Sequence, residues 1–287
     1  MKKWAAKPAP KIDEGERRVV GWGSSRGAIY ADDMEDRHRK SCVRMALEQI
    51  ADAEGDVEGF IAQQDERAKK SPVVAAAIGR RLLDAGRPQE ALSAIDFANL
   101  GGGMAVPEWE QVRIDTLVAL GSLEEAQSFR WKSFTRTLSA THLRAFLKKV
   151  PDFEDFDAEQ RAMDHASRAD IHEALAFFVA WPALDRASKL VIDKSTELDG
   201  DRYELLTPAA DELGEKYSLA ATLIRRAMID FSLDRAKASR YRHAARHLAE
   251  CASLASRIED YGSFPDHESY VGGLQVAHGR KVGFWQA

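Results

Sequence analysis

The run from Ala76 to Ser93, AAIGRRLLDAGRPQEALS, constrains this chain more than any other stretch, because it is echoed 35 positions further on. Leu82-Leu83-Asp84-Ala85-Gly86-Arg87-Pro88-Gln89-Glu90-Ala91 falls on Leu117-Val118-Ala119-Leu120-Gly121-Ser122-Leu123-Glu124-Glu125-Ala126. Each copy reads as an apolar helix end, a glycine, a short polar step and a new helix entered through Glu and Ala. The glycine supplies a left-handed residue that closes one helix, and the small Ala lets the next pack closely. A near-repeat of this length is the mark of tetratricopeptide-like helical hairpins. Gly86 and Gly121 are therefore expected to occupy equivalent left-handed positions, with Gly55-Asp56 as a fainter third copy.

The other helix signals agree. Asp32 or Asp33 can cap a helix running to about Ala53 with Val43, Leu47 and Ile50 on one stripe, and a second runs from Asp56 to about Lys69. Ser71-Pro72 starts the helix of Val74, Ile78 and Leu82, and Ala91, Ile95 and Ala98 line its return. Asn99 to Gly103 is a loop. Pro107 opens the helix of Trp109, Val112 and Leu117, and Ser122 with Glu125 forms a capping box for the next. Ser139 caps the helix of Leu143 and Phe146, and the acidic Asp152 to Asp157 reads as a solvated connection. Asp170 caps Ile171, Leu175 and Phe178, and Pro182 starts the partner helix. Asp199-Gly200-Asp201 is a turn. Leu219, Leu223, Ala227 and Phe231 form a stripe answered by Ala244, Leu248, Cys251 and Ala255. No stretch shows strand alternation. The expected fold is all-α, an irregular tetratricopeptide-like stack of helical hairpins over 32–287, with 1–31 as a lead-in. Val19, Val20, Trp22 and Ile29 are placed as a cap over the first helix; if they leave it open, the exposed face is expected to form a homodimer.

Composition excludes several classes. A formal charge of -5 with 30% charged residues points to neither nucleic acid nor anionic membrane. No run of about 18 apolar residues occurs, and the opening MKKWAAKPAP is too short in apolar residues for a signal peptide. Only Cys42 and Cys251 are present, without disulfide or zinc spacing, so a cytoplasmic setting is expected.

Phe129-Arg130-Trp131-Lys132-Ser133-Phe134, His142-Leu143-Arg144-Ala145-Phe146-Leu147, Trp181-Pro182-Ala183-Leu184-Asp185, Leu198 to Leu206, Tyr241 to Cys251 and His278-Gly279-Arg280-Lys281 carry a resemblance. Together these residues are similar to an uncharacterised all-helical bacterial family, a domain of unknown function. Its helices in turn resemble the repeats that follow the SWIM zinc finger in some bacterial proteins. The resemblance covers roughly residues 32 to 285 and implies an α-helical repeat fold without an activity. The SWIM Cys/His motif has no counterpart here, so zinc is not implied.

Three constellations are candidates for chemistry. His243, His247 and Cys251 lie four apart on one helix, a spacing that can hold a metal. The residue after His243 is Ala244 rather than a metalloprotease Glu, and the helix phase puts Cys251 in the apolar stripe, so no metal or other cofactor is expected. Gly23-Ser24-Ser25-Arg26-Gly27 has the letters of a nucleophile elbow, but no buried strand leads into Ser25. Gly21, Gly23 and Gly27 lack the strand and helix of a phosphate loop for the same reason. The third constellation is the basic corner of Arg235, Lys237, Arg240, Tyr241, Arg242, His243, Arg246 and His247, joined by Arg280 and Lys281 if the C-terminus folds back. It is either a surface for an anionic partner or a solvated corner offset by Asp230, Asp234 and Glu250. Nothing selects a nucleophile or a base. The expected function is a non-enzymatic protein–protein interaction module holding a protein or peptide ligand. An anion- or nucleic-acid-binding module at 235–246 is the alternative.

Overall fold

Three helix ends in the first half of the chain close by the same two hydrogen bonds. In the computed structural model, which describes residues 18–23, 27–101 and 106–287, Gly55, Gly86 and Gly121 have φ of 66°, 72° and 78°. Asp56 N donates to Ala51 O at 2.8 Å, Arg87 N to Leu82 O at 2.8 Å and Ser122 N to Leu117 O at 2.9 Å. The glycine N–H groups reach Asp52, Leu83 and Val118 carbonyls in turn. This is the paired closure that a left-handed residue makes possible at a helix C-terminus. The expected equivalence of Gly86 and Gly121 is thus observed, and Gly55 is a full third copy rather than a faint one. A Cβ at Gly86 or Gly121 would meet nothing within 4 Å, so only the backbone conformation opposes a side chain there. Gly86→Ala and Gly121→Ala should each lower stability by about 1 kcal/mol in urea unfolding.

The chain divides into two units, Met1–Ala126 and Gln127–Ala287. The first opens with an antiparallel strand pair, β1 (Val19–Gly23) and β2 (Gly27–Tyr30), in which Val19 faces Tyr30 and Trp22 faces Ala28 across a bulge between Val19 and Gly21. This corrects the strandless reading of the lead-in: glycine at 21 and 23 interrupts the alternation by which a strand is recognised. Val19, Val20 and Trp22 are 44%, 48% and 79% exposed, and Ile29 is half-buried. Ser25 lies outside the described residues, as do the first seventeen residues of the lead-in.

Helices then follow one another: α1 (Ala31–Glu54), α2 (Val57–Ala62), α3 (Glu66–Lys69), α4 (Pro72–Asp84), α5 (Pro88–Asp96) and α6 (Pro107–Ala119). Tyr30, extended, precedes α1, and Asp32 and Asp33 sit inside its first turn, where the helix dipole favours them, instead of capping it. The helix expected over 56–69 is broken in two, because Asp56 and Asp65 each accept a backbone N–H as caps, of Gly59 and Ala68. Phe60, Ile78, Leu82 and Ala91 form the core, with the Arg81 guanidinium 3.6 Å over the Phe60 ring while it binds Asp52. Trp109 is buried and donates its indole N–H to Ile95 O at 3.1 Å.

The chain continues through α7 (Leu123–Thr137), which enters the second unit at Gln127. It is followed by α8 (Ala140–Leu147), α9 (Asp155–Ala166), α10 (Ile171–Ala180), α11 (Leu184–Asp193), α12 (Tyr203–Gly214), α13 (Ser218–Asp234), α14 (Tyr241–Ala255), α15 (His267–His278) and α16 (Val282–Trp285). The acidic stretch read as a connection is in part the first turn of α9, whose Ala158, Ala162, Met163 and Ala166 are buried. Small residues there gave little hydrophobic signal, yet they let α9 approach its neighbours. Asp170 caps α10 as expected, accepting from His172 N and Glu173 N. Pro182 precedes α11 by two residues instead of starting it. The core joins Phe134, Phe177 and Phe178, with ring centroids 5.4 and 5.5 Å apart, to Leu206, Leu213, Ile224 and Met228. A second cluster gathers Ile229, Leu233, Ala244, Cys251, Leu274 and Phe284.

Helix α13 lies between these clusters and is buried on nearly every side. The stripe expected at Leu219, Leu223, Ala227 and Phe231 is its less buried face; Ala220, Ile224, Met228 and Leu233 carry the packing. Each fully buried Ile, Leu or Met contributes about 1.5–3 kcal/mol. Among the described residues helix accounts for 73% against a single two-stranded sheet, which makes the fold class all-α.

Candidate functional site

The sequence around α13 brings three segments to one cleft. The turn before α12 has a glycine, Gly200, where the backbone runs against α13, and no other residue fits there. Its neighbour Asp199 donates its N–H to His172 Nε2 at 2.9 Å, and Asp201 N donates to Asp199 Oδ1 at 3.0 Å. The turn thereby fixes Asp201, whose carboxylate accepts from Arg240 Nη1 at 2.6 Å. Arg240 also lies over the rings of Tyr203 (4.8 Å) and Phe231 (5.7 Å). Such stacking suits a planar guanidinium.

Between α13 and α14 the chain turns through Ala236 at φ 48°, an alanine in the conformation that glycine takes at the earlier helix ends. Lys237 N donates to Ser232 O at 2.9 Å in the same closure, and a 3-10 turn, Ala238–Arg240, leads into α14. The resulting cleft encloses about 240 Å³. Tyr203, Met228 and Ala244 give it apolar surface, Thr207, Ser232 and Ser239 hydroxyls, and Arg240, His243, Arg246 and His247 a basic side.

Behind the cleft is a polar network centred on the buried Arg225 and the half-buried Glu250. Glu250 accepts from Arg225 Nε at 2.8 Å, Arg246 Nε at 3.0 Å and His247 Nδ1 at 3.1 Å. Arg225, only 5% exposed, also donates to Asp211 Oδ1 at 2.8 Å and to the Ala210 carbonyl. Burial raises the Glu250 pKa, but hydrogen bonds from Arg225, His247 and Arg246 outweigh it and hold the carboxyl at about 2. Burial pushes the His247 imidazole below its ordinary value, with Glu250 pulling the other way. With Nδ1–H donated to a carboxylate, Nε2 is an acceptor. Burial lifts the Cys251 thiol to about 12.

Of the predicted residues, the structure brings Arg240, His243, Arg246 and His247 together at the cleft. Tyr241 faces away, edge-on to Phe284 at 6.4 Å, and Lys281 reaches it, Nζ to Oη at 3.4 Å. The C-terminus does fold back onto the start of α14. Arg235, Lys237, Arg242 and Arg280 are exposed and have no ion pair among the described residues. The expected offsets are corrected in part: Glu250 does bind Arg246, but Asp230 accepts from Tyr270 Oη and Asp234 pairs with His278. Cys251 is fully buried with Sγ toward Thr222 O at 3.9 Å, facing the core and not the two histidines. Among the described residues no cluster of His, Cys, Asp and Glu is arranged to hold a metal, and no helix is long and apolar enough to cross a membrane.

Sequence reasoning passed over Arg225 and Arg226, the residues that organise this region. Arg226, 5% exposed, donates to the carbonyls of Pro265 and Asp266 and lies 4.3 Å over Tyr270, tying α15 to α13. Their signal was present: two arginines inside the apolar run Leu223-Ile224-Arg225-Arg226-Ala227-Met228-Ile229. A charge in such a run is tolerated only when it is paired, as Arg225 is, or its donors are taken up by hydrogen bonds, as Nη1 and Nη2 of Arg226 are by two carbonyls.

No curated protein and no solved structure matches the chain. A family model does, over residues 1–287, a span that takes in both the strand pair and the helices around the cleft. The chain belongs to the family of unknown function DUF6880.

Proposed function

We propose that the protein is a non-enzymatic interaction module and that the cleft between α12, α13 and α14 holds an acidic, partly apolar peptide segment of a protein partner. The observation that carries this reading is an apolar-floored cleft with Arg240, Arg246 and His243 at its side; the unpaired Arg235, Lys237 and Arg242 lie in and beside the connection from α13 to α14 that supplies Ser239 and Arg240, and the unpaired Arg280 lies in the C-terminal segment folded onto the start of α14. Arg240 and Arg246 are held by Asp201 and Glu250, so they are pre-oriented and lose less freedom on binding. The unpaired four add attraction and speed of encounter. The three equivalent glycine closures, 31 and 35 residues apart, support a tetratricopeptide-like hairpin repeat. Two unpaired thiols support a cytoplasmic setting. A net charge of -5 disfavours nucleic acid as the ligand.

The test replaces Arg235, Lys237, Arg242 and Arg280 together by Ala. None of them holds another residue in place, so the melting temperature should be nearly unchanged. Affinity for a fluorescent peptide of Glu, Asp and Phe, read by anisotropy, should fall about tenfold, from four exposed charge contacts of a few tenths of a kcal/mol each. An unchanged affinity overturns the proposal. Binding of an oligonucleotide in preference to the peptide, with steep salt dependence, replaces it by the nucleic-acid reading.

A further inference from the structure

We propose that the acidic segment which fits this cleft is carried by the protein itself: Asp152–Asp157 of a second copy. The inference rests on the reading of the cleft given above and adds the identity of the occupant. Asp152, Glu154, Asp155 and Asp157 have no ion pair among the described residues, just as Arg235, Lys237, Arg242 and Arg280 have none. Acids at the start of α9 are explained by the helix dipole, but the two phenylalanines among them are not. Phe153 is 98% exposed and Phe156 66%, the first more exposed than any other large apolar side chain described. Two such rings within four residues, flanked by carboxylates, make an apolar patch with a charged rim. The cleft offers the complement, Tyr203 and Met228 for a ring and Arg240 and Arg246 for the carboxylates. A thioether and a guanidinium are both good neighbours for an aromatic face.

The segment is presented firmly. Ala158, next in the chain, is fully buried, and Asp155 Oδ1 accepts from Phe156 N at 2.7 Å. Segment and cleft belong to the same unit and are not in contact within one chain, so only another copy can bring them together. The contact joins two different surfaces. It therefore closes as a two-fold pair with both contacts made, closes as a larger ring, or extends from copy to copy.

Sedimentation velocity of the full chain should show species that grow with protein concentration and shrink with added salt. Phe153→Ser with Phe156→Ser should keep the helical circular dichroism spectrum and weaken association about thirtyfold, the loss typical of truncating an aromatic anchor. The Ala variant at Arg235, Lys237, Arg242 and Arg280 should also associate more weakly, by about tenfold. Mixing the two variants should restore a complex, because one supplies the cleft and the other the segment. A chain that stays monomeric at every concentration, or a Phe variant that associates like the parent, overturns the inference. A fluorescent peptide spanning residues 150–158 separates this failure from that of the cleft reading. If an unrelated acidic peptide binds and the 150–158 peptide does not, the cleft reading stands and self-recognition falls; if neither binds, both fall.

Discussion

Gly200→Ala is expected to cost about 3 kcal/mol or more in chemical unfolding, the largest effect of any single methyl group added to this protein. A Cβ at this position would run into the carbonyl oxygen of Ala227 and come within 2.7 Å of Phe231 Cβ. The first of these is backbone in the middle of α13, which cannot move without disturbing both clusters that flank it. Relief would have to come from the turn, and the turn holds Asp199 on His172 and Asp201 on Arg240. The variant should therefore also loosen the cleft, which a binding assay with the acidic peptide would read as weaker affinity at a temperature where the protein is still folded. Gly214→Ala is the control. That glycine is the last residue of α12, nothing lies within 4 Å of its added Cβ, and the change should be neutral or stabilise by up to about 1 kcal/mol. Equal unfolding midpoints for Gly200→Ala and the parent would show that the turn does not pack on α13.

The second large effect is expected at Glu250. Glu250→Ala leaves Arg225 buried with only Asp211 as a charged partner, and deprives His247 and Arg246 of their acceptor. Breaking a buried pair from one side costs about 3–5 kcal/mol, because the surviving charge is stranded. Asp211 and the Ala210 carbonyl place the expectation near 3. The pH dependence has a definite sign. The Glu250 carboxyl lies at about 2 in the folded protein, below its ordinary 4.5. Its contribution is complete above 4.5 and is lost as pH falls toward 2. His247 is also depressed, so charging it opposes folding, and stability falls further as pH drops below 6.5. Asp230, raised by burial, works in the other sense and partly masks the decline. The informative measurement is the difference between parent and Glu250→Gln urea midpoints across this acid range. That difference should shrink with falling pH, and a constant difference would mean the network is not charged as described.

What could be read from the residues alone followed distance along the chain. Gly86 and Gly121 were legible because a helix closure is decided within about six residues, and sequence contains all of them. Asp170 was legible for the same reason. The β1–β2 pair was lost because two of the five β1 residues are glycine, and α9 because its inner face is three alanines and one methionine under a crowd of acids. The site was half legible. The cations near 235–246 stood out by charge, but charge does not say which are already occupied. Arg240 and Arg246 are tied to acids 39 and 4 residues away, and only the first pairing depends on the fold. Tyr203 and Met228, which make the cleft something other than a patch, come from two further helices. No local pattern could have joined them to α14.

The two cysteines differ in a way that has a practical consequence. Cys251 is sealed among Ile229, Leu233 and Leu274 with its thiol lifted to about 12, so at neutral pH it presents almost no thiolate. Cys42 is half-buried on α1, with its sulfur 3.6 Å from His38 Nε2. The chain thus carries one addressable thiol and one that is chemically silent until the protein unfolds. A maleimide dye placed on the native protein marks a single position without any engineering. A second equivalent of reagent, taken up only on denaturation, counts the unfolded molecules one by one.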